Sequence, residues 1–223
     1  MKNINENIAI GKIVSEVPST TNYFIKNDID FCCGGHRPLK EAIKDSSISL
    51  KKVLEDLNKI NKKNTKKIKK WKEAKPQELI DYIIDTHHSF LRENLPLIDK
   101  LLFKVLFVHG KKHKELFKVH ELFSNLKGEL ERHLIKEEKL LFPAIKENNK
   151  KLIDLLMDEH DAAGDLIKEI KELTNHYKLP KDACESYMAL YNKLEKLELD
   201  IYHHVHLENN ILFKKINKGG KNV

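Results

Sequence analysis

His133-Leu-Ile-Lys-Glu137 and His204-Val-His-Leu-Glu208 are the same phrase written twice, 71 residues apart. Each runs on into an apolar stretch, Leu140, Leu141 and Phe142 in the first and Ile211, Leu212 and Phe213 in the second. Residues at i and i+4 share one face of a helix, so each phrase offers an imidazole and a carboxylate to a common point. The apolar residues beyond carry that face into a core. Two such helices facing each other would bring two imidazoles and two carboxylates to the middle of a bundle, which is the donor set of a two-metal site.

A second, fainter repeat completes the set. Ile83-Ile84-Asp85 precedes His87-His88, and Leu155-Leu156-Met157-Asp158 precedes Glu159-His160, an offset of 72 that lays His88 on His160. The expected ligands are therefore His88, His133, Glu137, His160, His204 and Glu208. Imidazole suits iron, zinc, copper and nickel, while carboxylates suit harder ions and can bridge two of them. Four His and two Glu fit a pair of iron ions bridged by Glu137, Glu208 and an oxygen species; ligand type alone leaves zinc and manganese open. Among 12 His in the chain, a single helical His carries little weight, and the argument rests on the doubled context. His87, His203 and His206 lie beside ligands but about 100° or more away around a helix. His113, His120 and His176 are expected to have no part in the centre. Glu129, one turn before His133, and Glu159, directly before His160, are candidates to support the ligands or line an ion path.

Four long helical patterns must position these groups. The first runs from Pro76 to about Val108 with a bend expected at Pro96, the second from about Lys112 to Phe142, where Pro143 stops it. The third spans about Lys150 to His176 and the fourth about Lys181 to Ile216. Short turns between them imply an all-α, up-down-up-down four-helix bundle over residues 76–217. Residues 1–61 read as a small helical domain with little core of its own, holding Cys32 and Cys33 before Gly34-Gly35 and a helix from Leu50. Residues 62–75, rich in lysine, read as a basic linker.

Composition narrows the classes. Charged residues are 34% and Gly and Pro together are few, a profile that favours helix. No apolar run is long enough for a membrane span and no signal peptide opens the chain, so a cytoplasmic protein with no membrane role is expected. Three cysteines, Cys32, Cys33 and Cys184, are too few for a disulfide framework; Cys184 is expected to pack in a core. The net charge of +7 gathers in the linker without an aromatic ladder or a DNA-reading motif, so no nucleic-acid partner is expected.

The chain resembles the repair-of-iron-centres family, di-iron iron–sulfur cluster repair proteins with a hemerythrin-like domain. The resemblance is carried by His88-Ser-Phe-Leu-Arg-Glu93, Val108-His-Gly110, His133-x3-Glu137 with Leu141-Phe-Pro143, Glu159-His160-Asp-Ala-Ala-Gly164 and His204-x-His-Leu-Glu208-Asn-Asn210, and by Asp30-Phe-Cys-Cys-Gly-Gly35 in the small domain. It implies a non-haem di-iron centre and repair of clusters damaged by nitric oxide or oxidants, with nitric oxide reduction or iron donation as associated activities. Damaged iron–sulfur proteins would be the partners, nitric oxide or O2 the small ligand, and a homodimer is compatible. Oxygen-carrying hemerythrins are richer in His; here Gly164 stands where another ligand would be, which leaves the metals more open and favours reactivity over carriage. An O2- or nitric oxide-binding sensor or carrier without turnover is the alternative, and an iron donor without redox catalysis another. Within the resemblance, Cys32 and Cys33 would deliver reducing equivalents or pass iron, their thiolates favoured if Arg37 or Lys40 lies near and their approach eased by flexible Gly34-Gly35.

Overall fold

The helix-rich composition yields ten α-helices and no β-strand among the described residues, which in this computed structural model are 3–44, 46, 48–63, 71, 73–147 and 149–219. The helices are α1 Ile10–Glu16, α2 Thr21–Lys26, α3 Leu39–Ala42, α4 Leu50–Lys63, α5 Pro76–Tyr82, α6 Ser89–His109, α7 Glu115–Lys136, α8 Lys150–Leu173, α9 Glu185–Leu207 and α10 Phe213–Gly219. Most of the expected basic linker, residues 64–70 and 72, lies outside the described residues, as does Gly220. The chain divides into two compact units, Asp81–Ile201 and Met1–Ile80 with Tyr202–Val223. That division cuts through α9 and differs from the 1–61 and 76–217 expected from the sequence, because the last part of the fourth helical pattern packs with the N-terminal helices.

In Asp81–Ile201, helices α6 to α9 form the up-down-up-down bundle. Leu91, Leu95, Ile98, Leu102 and Val105 on α6 are buried at alternating steps of four and three, and Tyr187, Leu190, Leu194 and Leu197 do the same on α9. That stripe is what a helix needs to bury one face. Ion pairs and hydrogen bonds report the antiparallel register. His87 meets Asp200 and, seven residues on, Asn94 meets Lys193, seven residues back.

The helix ends differ from expectation for local reasons. Pro96 sits inside α6 without ending it; a proline costs the helix one bond to the carbonyl of Arg92. α8 stops at Leu173 rather than near His176, since Asn175, His176 and Tyr177 all take the left-handed conformation (φ 48°, 57° and 57°). α7 and α9 start at Glu115 and Glu185, three and four residues later than the sequence suggests. Cys184 is exposed, not in a core, because the chain at that point is still outside α9.

In the other unit, Ile10, Ile13, Phe24, Phe31, Leu39, Val53 and Leu57 form a small core against which Tyr202 packs. The C-terminal segment supplies much of what residues 1–61 lack by themselves. Asn210 Nδ2 donates to the Cys32 carbonyl at 3.0 Å, and Phe31 meets Tyr202 edge-on.

Candidate metal centre

Among the described residues, three stretches leave the α-helical repeat for a wider π-helical turn: Ile83–His88, Glu137–Leu141 and Glu208–Leu212. Each begins or ends on an expected ligand. In the second, the Phe142 N–H reaches back five residues to the Glu137 carbonyl at 2.8 Å. The extra residue turns the side chains beyond it about 100° further round, so Leu141 and Phe142 enter the core while Glu137 stays buried.

Within Asp81–Ile201 the structure brings together His88, His133, Glu137 and His160. All four are buried, Glu137 and His88 completely. The Glu137 carboxylate lies between two imidazoles. Its Oε2 is 3.3 Å from His88 Nε2 and its Oε1 is 3.4 Å from His133 Nε2. His160 Nε2 stands 3.0 Å from His133 Nε2, and His133, Glu137 and His160 present ligand atoms within 4.8 Å of one another. Phe142 stacks on His88.

The outer nitrogens fix which way these rings act. His88 Nδ1 donates to Glu138 Oε1 at 2.7 Å, and the same carboxylate accepts from Arg92 at 2.6 Å. His133 Nδ1 donates to Glu159 Oε2 at 2.9 Å, and Lys136 pairs with the other oxygen of Glu159. With the proton held at Nδ1, each ring turns a lone pair at Nε2 toward Glu137, which is how metal-binding histidines are oriented. Burial pushes Glu138 and Glu159 toward the neutral form, but the hydrogen bonds from His88 and Arg92, and from Lys136 and His133, outweigh it and hold both below the usual carboxylate range. Both therefore stay charged at neutral pH. Buried imidazole lone pairs around a buried carboxylate fit a borderline divalent ion better than any arrangement of hydrogen bonds alone.

In the other unit, His204 Nε2 lies 3.1 Å from Glu208 Oε1, both buried. His206, two residues on, takes no part in that pair. It packs on Phe31, its Nε2 lies 3.3 Å from the Ser15 hydroxyl, and burial pushes its pKa down to about 3. His87 likewise turns from the ligands to Asp200 Oδ1 at 2.8 Å.

Glu159, singled out for its place beside His160, meets His133 instead; Glu129 sits on an exposed face of α7. The carboxylate that sequence reasoning missed is Glu138, with Arg92 behind it. Its only signal was adjacency to Glu137, and adjacency on a regular helix would have pointed it about 100° away.

Cys32 is buried and Cys33 half-buried, their sulfurs 3.8 Å apart. Asp30 organises the turn. Its carboxylate accepts the N–H groups of Cys32, Cys33 and Gly34 at 3.0, 3.1 and 2.8 Å and faces the Cys32 sulfur at 3.2 Å. The Cys33 sulfur, burial and the negative Asp30 together hold the Cys32 thiol well above its ordinary range. A protonated thiol beside a carboxylate thus replaces the expected thiolate beside a base, and Arg37 turns instead to the Gly34 carbonyl. No glycine among the described residues has a positive φ, and a Cβ on Gly35 would come within 2.7 Å of the Asn210 amide, so that position has no room for a side chain.

Comparison with known proteins covers most of the chain. The family model described as the hemerythrin HHE cation binding domain matches residues 79–216, and one described as a domain of unknown function, DUF542, matches residues 6–61. The chain is 31% identical to the iron-sulfur cluster repair protein ScdA of Staphylococcus haemolyticus over 95% of this chain and 98% of the relative. It is 37% identical to a "Probable iron-sulfur cluster repair protein" of Haemophilus influenzae, covering 93% and 95%. It is 33% identical to the iron-sulfur cluster repair protein YtfE of Escherichia coli O8, covering 92% and 94%. With the buried His and Glu residues in place and both domains matched in order, the chain belongs to the hemerythrin-domain family of the ScdA and YtfE iron–sulfur cluster repair proteins.

Proposed function

We propose that this protein repairs iron–sulfur clusters damaged by nitric oxide or oxidants in the cytoplasm, using a non-haem di-iron centre held by His88, His133, Glu137, His160, His204 and Glu208. The observation that carries the reading is the buried Glu137 carboxylate with one oxygen toward His88 and the other toward His133, both rings locked by outer carboxylates. A carboxylate so placed is suited to bridge two ions. The 71-residue repeat makes Glu208 its counterpart and His204 the counterpart of His133.

Bound iron supplies redox and Lewis-acid chemistry toward a small ligand such as nitric oxide or O2. The chain's own residues do the rest. Glu138 and Glu159 keep the His88 and His133 rings in the tautomer that binds metal, and Arg92 and Lys136 keep those carboxylates charged. Phe142, stacked on His88, covers one face of that buried ring. In this reading Cys32 and Cys33 are the source of electrons or the carriers of iron. Reduction of two nitric oxide molecules to nitrous oxide and water consumes two electrons and two protons, which oxidation of two thiols to a disulfide releases. No helix among the described residues is long and apolar enough to cross a membrane.

The test is metal analysis joined to a repair assay on the full chain. The expected result is about two irons per chain, an oxo-to-iron charge-transfer spectrum, and recovery of a nitric oxide-inactivated [4Fe–4S] enzyme that fails with Glu137→Ala. Nitrous oxide production lost in Cys32→Ser/Cys33→Ser assigns turnover. Iron transfer to an apo-ferredoxin without nitrous oxide assigns donation, and reversible ligand binding indifferent to the cysteines assigns the sensor. Zinc instead of iron, lost on Glu137→Ala, would overturn the di-iron reading.

A further inference from the structure

At the far end of α6, about 31 Å along the helix from His88 at 1.5 Å per residue, four more ligand-type side chains converge. His109 is the last residue of α6 and His113 lies in the turn after it. The His113 N–H still bonds the His109 carbonyl at 2.9 Å, so the helical spacing persists and the two rings share a face. Across from them, Asp182 and Cys184 flank Ala183 at the entry to α9. His109 Nε2 lies 3.2 Å from Cys184 Sγ, and His113 Nε2 lies 3.0 Å from Asp182 Oδ1. Ligand atoms of His109, His113 and Asp182 all fall within 4.8 Å of one another.

The geometry points to a second, mononuclear metal site, in which His109, His113, Asp182 and Cys184 bind a zinc-like divalent transition ion at the solvent-facing end of the bundle. Two imidazoles, a carboxylate and a thiolate are the donors zinc takes in a closed tetrahedron. With bonds of about 2.0–2.3 Å, the edges of such a tetrahedron are about 3.3–3.8 Å. The two contacting pairs, His109–Cys184 and His113–Asp182, need open by only a few tenths of an ångström, while the Cys184 side chain, which lies outside the 4.8 Å cluster of the other three, swings inward on its exposed segment.

The surroundings of the rings match as well. His113 Nδ1 faces Glu115 Oε1 at 3.2 Å, the outer carboxylate that sets a ligand's tautomer. Both rings pack edge-on against the buried Tyr187, at 5.2 and 5.7 Å. The other oxygen of Asp182, Oδ2, lies 3.6 Å from Lys112 Nζ. Asp182 and Cys184 are exposed, which gives an ion entry from solvent. Binding replaces the Cys184 S–H bond with a sulfur–metal bond and releases the thiol proton to water. The ion would clamp the α6–α7 turn to the segment that leads into α9, closing one end of the bundle.

The test uses the full chain with its iron already loaded, equilibrated with Zn²⁺, desalted, and analysed for both metals. Expected is about one zinc per chain above unchanged iron. Cys184→Ser and His113→Ala should each weaken zinc by about tenfold or more, at least what losing an outer carboxylate costs. Asp182→Asn, which keeps the side chain's shape, should do the same with helicity unchanged. Co²⁺ in place of zinc should give a thiolate-to-cobalt band that Cys184→Ser removes. No zinc uptake above the iron, uptake equal in wild type and the three variants, or zinc gained only as iron is lost would each overturn the proposal. Because iron is counted in the same sample, failure here is distinct from failure of the di-iron reading.

Discussion

The two His-x3-Glu segments began as the same phrase, and the structure shows how far they have parted. Both keep the histidine and glutamate buried, and both open into a π-helical turn at the same step, Glu137–Leu141 and Glu208–Leu212. Past the glutamate they differ. In the first, Glu138 grips His88 and Arg92, Lys139 is exposed and Pro143 comes after the turn. In the second the matching residues are Asn209 and Asn210, both buried, and the helix continues to Gly219. Asn210 holds the Cys32 carbonyl and occupies the space that Gly35 leaves. One copy uses its polar residue to orient His88, the other to anchor the cysteine turn. A duplicated element can thus conserve its chemistry and change its neighbour at the residues immediately after.

The comparison can be broken at its shared part first. Glu137→Ala and Glu208→Ala are each expected to abolish stable iron binding, read by elemental analysis; near-normal iron in one of them would show that only one copy serves the metals. Next, Glu138→Ala and Glu159→Ala should each weaken iron about 10- to 100-fold, measured by competition with a chelator. Asn210→Ala should leave iron content intact but lower stability by about 1–3 kcal/mol in denaturant melts, the cost of an orphaned buried carbonyl. Gly35→Ala should cost a similar amount by overpacking, and the double variant should cost less than the two together. Smallest of all, Lys139→Ala, the exposed counterpart of Asn210, should stay within about 0.5 kcal/mol of wild type. A large effect there would mean the first copy also anchors something.

Much of the buried His and Glu cluster was legible because burial on a helix leaves a periodic trace. Apolar steps of three and four located the bundle helices to within a few residues, and the doubled context singled out histidines from among 12. The features that escaped did so for physical reasons. A π turn has no composition of its own, so nothing in the sequence marked Glu138 as the partner of His88. Three consecutive left-handed residues ended α8 early where no glycine announced a stop. Cys184 was expected in a core on a helix that begins only at Glu185, because periodicity fails at helix ends. The packing of Asn210 beside Gly11 and Gly35 joins positions nearly the whole chain apart, a relation that local pattern does not contain.

The widened turn after each glutamate also sets the genetics of the gene. Inserting one codon between Glu137 and Leu140, where the turn already holds its extra residue, would rotate the residues beyond it by about 100° and put Leu140 where buried Leu141 packs. The same insertion between Glu208 and Asn210 would swing Asn210 off the Cys32 carbonyl. Every amino acid type would survive such an edit, and composition and helix content would hardly change. Reading frame preserved, helix preserved and function lost is the phenotype expected of an indel at either place, whereas a one-codon loss in the loop 178–181 should be close to silent for iron.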